Sequence, residues 1–84
     1  MGYNDEELKI IYYKTEGYCN ICGKKLSLIN YGNLDGKGSW EVDHSKPVAR
    51  GGTNHLNNLR PVCISCNRKK GTDTTPSARR KFGQ

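Results

Sequence analysis

The apolar positions of this chain change period along its length. Between Asn4 and Lys14 they fall at Leu8, Ile11 and Tyr12, the spacing of one helical face. Asn4 stands at the N-cap with Glu7 three residues on, and Asp5, Glu6 and Glu7 put negative charge where the helix dipole favours it. Gly17 is a natural stop. A short strand is predicted at Leu26 to Ile29. Gly32, Gly36 and Gly38 then mark a loop or hairpin turn. Trp40 to His44 alternates as a half-buried strand does, with Trp40 and Val42 inward, and Pro47 ends regular pairing. A loop from Ser45 to Asn57 turns sharply at Gly51-Gly52. Leu59 to Val62 returns antiparallel to the first strand, as an edge because of Pro61. Cys63 to Lys70 leads into a short helix closed by Gly71. Thr75-Pro76 caps and begins a last helix with Pro76 at its first position, and Phe82 is expected to dock the tail. This is a small α+β pattern within one domain.

Composition adds a constraint. Only 33% of the 84 residues are hydrophobic. A chain of this size buries little and usually needs a staple. The four cysteines form two pairs, Cys19-x-x-Cys22 and Cys63-x-x-Cys66, the spacing of two knuckles that complete a four-thiolate zinc site. Two disulfides, or a redox C-x-x-C, are the alternatives on spacing alone. A secretory signal and a membrane-spanning apolar run are both missing from the pattern. The expectation is therefore a reducing, cytoplasmic compartment, no membrane partner, and zinc. Three segments follow: an N-terminal helix (1–17), a zinc-bound core (18–71) and a basic C-terminal tail (72–84).

Charge narrows the partners. The net charge is +6, and half of the 14 lysines and arginines lie from Arg60 onward. Arg60, Arg68, Lys69 and Lys70 read as a phosphate-backbone footprint. The acidic start of the first helix would repel such a ligand, so that helix is expected to be scaffold.

Chemistry gathers at Asp43 and His44, which end the first predicted strand. A histidine of near-neutral pKa can take a proton from water, and a carboxylate with an amide oxygen can hold a hard divalent ion. Asn58 and Asn67 supply the amides. In order along the chain, Cys19-x-x-Cys22, Val42-Asp43-His44, Pro47, Gly51-Gly52, Asn58-Leu59, Cys63-x-x-Cys66-Asn67 and Lys70 resemble the HNH endonuclease family, from about Cys19 to Gly71. The resemblance implies a ββα-metal (His-Me finger) motif stapled by structural zinc on the four cysteines. It implies His44 as general base, Asp43 and Asn67 as ligands of a catalytic divalent ion, and Asn58 as the residue that ties down the loop orienting the histidine. Asn67 departs from the family name, since the last motif position is His there, although asparagine occurs at it in the HNH domain of CRISPR effector nucleases. An amide oxygen tilts the ion towards Mg²⁺ or Mn²⁺.

The implied activity is hydrolysis of DNA, most simply double-stranded, to 5′-phosphate and 3′-hydroxyl ends, with one strand nicked at a time and weak sequence specificity. Two other roles fit the same residues in part. One is a non-catalytic zinc module that binds nucleic acid. The other is an accessory factor in phage DNA packaging, acting through a packaging partner; for the nuclease itself, a double-strand break would need a homodimer or two visits. Asp43, His44 and Asn67 separate these from an enzyme, because a pure binder needs neither a base nor a second metal.

Overall fold

A two-stranded antiparallel sheet has a helix against each of its faces. The computed structural model describes residues 3–71 and 73–83, Phe82 by its backbone alone. The elements are α1 (Asp5–Tyr13), β1 (Trp40–His44), β2 (Leu59–Cys63), α2 (Ile64–Lys70) and α3 (Thr75–Phe82). Single 3-10 turns occur at Leu28–Asn30, Val48–Arg50 and Leu56–Asn58.

α1 starts on a full capping box. The Asn4 side chain accepts from Glu7 N at 2.8 Å and Glu7 Oε1 accepts from Asn4 N at 3.0 Å. Two donors that no helix can satisfy internally are thereby paired. Ile11 and Tyr12 are buried, and Leu8 packs at the edge of the core. The chain turns away at Gly17, whose φ of +86° suits glycine, and a Cβ there would lie 2.6 Å from the Tyr12 hydroxyl oxygen.

The sheet keeps the expected bounds and antiparallel pairing, but burial does not alternate along β1: Val42 is half-buried and Asp43 is buried on the other face. Trp40 stands opposite Cys63, Val42 opposite Pro61, and His44 opposite Leu59. Trp40 is fully buried, packs on the rings of Tyr12 and Tyr31, and donates its indole N–H to Ser27 O at 2.9 Å. The face carrying Trp40 and Val42 therefore looks towards α1. The other face carries Glu41 and Asp43, whose side chains meet α2. Pro61 sits without cost in a strand that is an edge by necessity, and its carbonyl accepts from Asn20 N at 2.9 Å. That bond fastens the first knuckle to the sheet.

Two expectations change. Leu26 to Ile29 is not a strand. Leu26 N donates to Gly17 O and Ser27 N to Gly38 O, two separate partners rather than one neighbouring strand, and the backbone then curls at Leu28–Asn30. The cap of α3 is Thr74, one residue earlier than expected: Thr74 Oγ1 accepts from Ser77 N, and Pro76 falls at the second helical position. Thr75 is buried instead, its N–H donating to Ser45 O at 3.0 Å. α3 is tied to the first knuckle by Arg79, whose Nε and Nη2 donate to Asn20 O at 2.9 and 2.5 Å. The expected docking of Phe82 lies outside the described residues. No described helix is long and apolar enough to cross a membrane.

Candidate functional site

The two knuckles close on each other beside the sheet. In the first, Cys19 N donates to Lys24 O and Gly23 N to Cys19 O, which folds the backbone around Cys22. In the second, Cys63 ends β2 and is the N-cap residue of α2, and Cys66 lies in the first turn of that helix. One ligand atom from each cysteine falls within 4.8 Å of all the others, with Cys22 and Cys63 Sγ 3.9 Å apart. Zinc–sulfur bonds of about 2.3 Å arranged tetrahedrally need sulfurs about 3.8 Å apart, so the cluster fits such an ion. All four are free thiols, which sets aside the disulfide alternative.

Electrostatics points the same way. Burial raises the pKa of Cys19, but the N–H groups of Cys22, Cys63 and Ile21 outweigh it and hold the thiol below its ordinary value. Burial pushes Cys63 up, and pushes Cys66 up with help from the neighbouring sulfurs. Sulfurs packed this closely are readily held as thiolates when a cation sits among them. These cysteines can hold a metal such as zinc.

The second constellation lies at the far end of β1. Asp43 is buried on the α2 face. Lys70 Nζ donates to its Oδ1 at 3.3 Å and lies 3.2 Å from Oδ2, an oxygen left without a hydrogen bond of its own. The same ammonium donates to His44 O at 2.9 Å. Burial pushes the Asp43 carboxyl above the usual carboxylate range, while the charge of Lys70 pulls the other way without cancelling it. One turn earlier on α2, Asn67 Nδ2 donates to Glu41 Oε1 at 2.7 Å. Residues two apart on the strand thus meet residues three apart on the helix, each pair on one side of its element. Asp43 and Asn67 carry oxygen atoms on facing elements, hard donors of the kind a divalent ion takes, and the buried Asp43 Oδ2, without a hydrogen bond, faces the Lys70 ammonium at 3.2 Å.

His44 leaves the strand on the opposite side from Asp43, at its last residue. Its Nε2 lies 2.7 Å from Asn54 Oδ1, so the ring is held by the loop. Asn58 organises that loop. Its Oδ1 accepts from Lys46 N at 2.9 Å, and its Nδ2 donates to Lys46 O at 3.0 Å and Thr53 O at 2.8 Å. Gly52 lets the loop fold this tightly, since a Cβ would lie only 1.7 Å from Lys46 O.

The basic residues divide. Arg68 and Lys69 are exposed on the last turn of α2. Arg60 is half-buried and donates from Nη1 to Asn57 O and Leu59 O, both at 2.9 Å. Lys70 departs from expectation. It is 2% exposed and spent on Asp43 and His44, which leaves it no surface for a phosphate. The helical period separates it from its neighbours: Lys70 shares the inward side with Cys66 and Asn67, while Arg68 and Lys69 point outward. Glu41 and Asn54 touch the candidate residues, and the sequence reading passed over both. Glu41 was within reach, being two residues from Asp43 in an alternating strand. Asn54 carried no local signal, because it reaches His44 only through the fold of the loop.

A family model described as HNH endonuclease matches residues 19–73, from the first cysteine to just beyond α2. That span contains the four-cysteine cluster, both strands, the Asn58-clamped loop and the α2 face carrying Asn67 and Lys70. A match over more than half of the chain, laid on this architecture, places the protein in the HNH endonuclease family.

Proposed function

We propose that this protein is a divalent-metal-dependent endonuclease that hydrolyses phosphodiester bonds of double-stranded DNA, leaving 5′-phosphate and 3′-hydroxyl ends. What supports the reading is that Asp43 and His44 close β1, that Asn67 and Lys70 of α2 reach the Glu41 and Asp43 side of that strand, and that the loop holding His44 is clamped by Asn58. The scissile phosphate lies across the end of β1, between the Asp43 side and the His44 side.

His44 is the general base. It takes a proton from the attacking water on its ring, and Asn54 limits the ring's rotation. Asp43 and Asn67 would hold Mg²⁺ or Mn²⁺, and the bound ion would supply neutralisation of charge on the phosphate. Asn58 keeps the loop from Lys46 to Thr53 closed, so that His44 is presented at a fixed angle. Zinc on Cys19, Cys22, Cys63 and Cys66 is structural and aims α2. Exposed Arg68 and Lys69, with Arg60 nearer the loop, engage the DNA backbone, a contact that carries little sequence information. Four reduced thiols suit a cytoplasmic setting.

Plasmid nicking tests the reading. Zinc-loaded protein should convert supercoiled to open-circular DNA with Mg²⁺ or Mn²⁺, and EDTA should stop it. His44→Ala should nick far more slowly while binding DNA as before. Equal nicking by His44→Ala would remove His44 from the chemistry, and absence of nicking in both chains would leave a zinc module that binds nucleic acid.

A further inference from the structure

Glu41 has no part in the chemistry described above, yet it makes the shortest side-chain contact to a proposed ligand of the catalytic ion. Its Oε1 accepts from Asn67 Nδ2 at 2.7 Å. We propose that Glu41 is a positioning residue, which fixes the orientation of the Asn67 amide so that its oxygen is presented to the divalent ion. The inference rests on the reading of Asn67 as a ligand.

The argument begins with what each group can do. An ionised carboxylate only accepts hydrogen bonds, whereas a primary amide has a donor end and an acceptor end of nearly equal size. A carboxylate at 2.7 Å from that amide therefore selects its nitrogen. The Asn67 oxygen is then turned away from Glu41. An amide nitrogen has no lone pair to give a cation, so the flipped amide would be useless as a ligand. Without Glu41, half a turn about the terminal torsion of Asn67 exchanges the two ends at little steric cost.

The placement suits this role. Glu41 and Asp43 project from the same side of β1, and Asn67 and Lys70 from the same side of α2. Asp43 is held by Lys70 in the same way that Asn67 is held by Glu41. Each proposed ligand thus has a charged partner on the opposing element, which sets its angle before an ion arrives. Glu41 is half-buried, while the core of this face is made by others, so the contact is not what holds sheet and helix together.

The test is Mn²⁺ binding by zinc-loaded protein, read by electron paramagnetic resonance of the free ion, with circular dichroism and zinc content as checks on folding. Four chains are compared: wild type, Asn67→Ala, Glu41→Ala and Glu41→Gln. Asn67→Ala should bind Mn²⁺ more weakly, which supports the ligand reading itself. Glu41→Ala should weaken binding about 10–100-fold, the usual effect of removing a group that orients a ligand. Glu41→Gln keeps an accepting oxygen and should recover most of that loss. A second readout is the Asn67 side-chain amide resonance in metal-free protein, which should move upfield when the carboxylate is removed. Weak binding by Asn67→Ala with wild-type binding by Glu41→Ala overturns the proposal while leaving the ligand reading intact. Equal losses in Glu41→Gln and Glu41→Ala also overturn it, because they make Glu41 a ligand in its own right. Wild-type binding by Asn67→Ala removes the ligand, and the proposal goes with it. If Glu41→Ala does not fold, Glu41→Gln and the amide resonance decide the matter: an unmoved resonance in Glu41→Gln together with a large loss of Mn²⁺ affinity counts against it.

Discussion

The four-cysteine cluster and the strand-end site are both built from pieces of the same two elements, yet they are made to different specifications. Three of the four cysteines are buried and Cys22 is half-buried, their ligand atoms converge to within 4.8 Å, and the Ile21 and Cys63 N–H groups already point at the Cys19 sulfur. The strand-end site has buried Asp43 on one side and partly exposed His44 on the other, and its groups are held apart by partners: Lys70 on Asp43, Glu41 on Asn67, Asn54 on His44. A closed site of soft donors keeps its ion and supplies folding free energy; an open site of hard donors must admit water and substrate. On the proposed function, the difference makes the first a joint and the second a workplace. Substitutions should therefore fall into two phenotypes.

The largest effect is expected at the joint. Cys63→Ser removes a sulfur ligand at the residue where β2 ends and α2 begins. Zinc should be released or weakened, and the chain should lose its cooperative melting transition, with activity disappearing as a consequence. A variant that stays folded without zinc would erase the distinction between the two regions.

Lys70→Met strikes between the two regions. It leaves Asp43 buried without its partner, a change that typically costs about 3–5 kcal/mol. The sign of its pH dependence follows from Asp43, whose carboxyl burial already holds above the ordinary range. With the ammonium gone it rises further. A raised carboxyl favours the folded state when protonated, so stability is retained below the ordinary aspartate pKa and lost as pH rises through the folded value. The deficit of Lys70→Met relative to wild type, read from denaturant melts at matched pH, should shrink towards acid. A deficit that grows towards acid would contradict the burial of Asp43.

At the workplace itself, His44→Ala should slow cleavage by roughly 10²–10⁴-fold, the usual contribution of a general base. Melting temperature, zinc content and DNA affinity should stay near wild type, because the His44 side chain touches only the Asn54 loop among the contacts described. Arg68→Ala should be the mildest. Its expected signature is a log–log salt dependence of DNA binding flatter by up to about one unit, with cleavage at saturating DNA unchanged. Lys70→Met should leave that slope alone. A flattened slope there would put Lys70 back among the phosphate contacts.

Much of this contrast was legible in the residues themselves. The capping box of α1, the bounds of β1 and the meeting of the two Cys-x-x-Cys pairs follow from local spacing, which sequence displays directly. Legibility failed where partners are distant. Leu26 to Ile29 has the apolar content of a strand, but a strand needs a neighbour, and the neighbours went to Gly17 and Gly38. Thr74 and Thr75 are both able caps, and only the burial of Thr75 beneath Ser45 decides between them. Lys70 looked like one more member of a basic run, and its fate depended on Asp43 arriving from across the sheet. For the strand-end site, the resemblance in the order of motifs pointed to Asp43, His44, Asn58 and Asn67 as candidates, whereas the contacts of Glu41 with Asn67 and of Asn54 with His44 became visible only in three dimensions.

α2 is seven residues long, with Cys63 at its cap, Cys66 and Asn67 along it and Lys70 at its end. A helix so short has almost no stability of its own in water. It is better regarded as a lever pinned at two points, by the sulfurs at one end and by the Asp43–Lys70 pair at the other, with Asn67 between the pins. An ion held by the four cysteines would then set the angle of the lever by its size. Exchange of zinc for a larger thiophilic ion should shift Asn67 relative to Glu41 and Asp43 and detune cleavage, although no residue of the strand-end site has been altered.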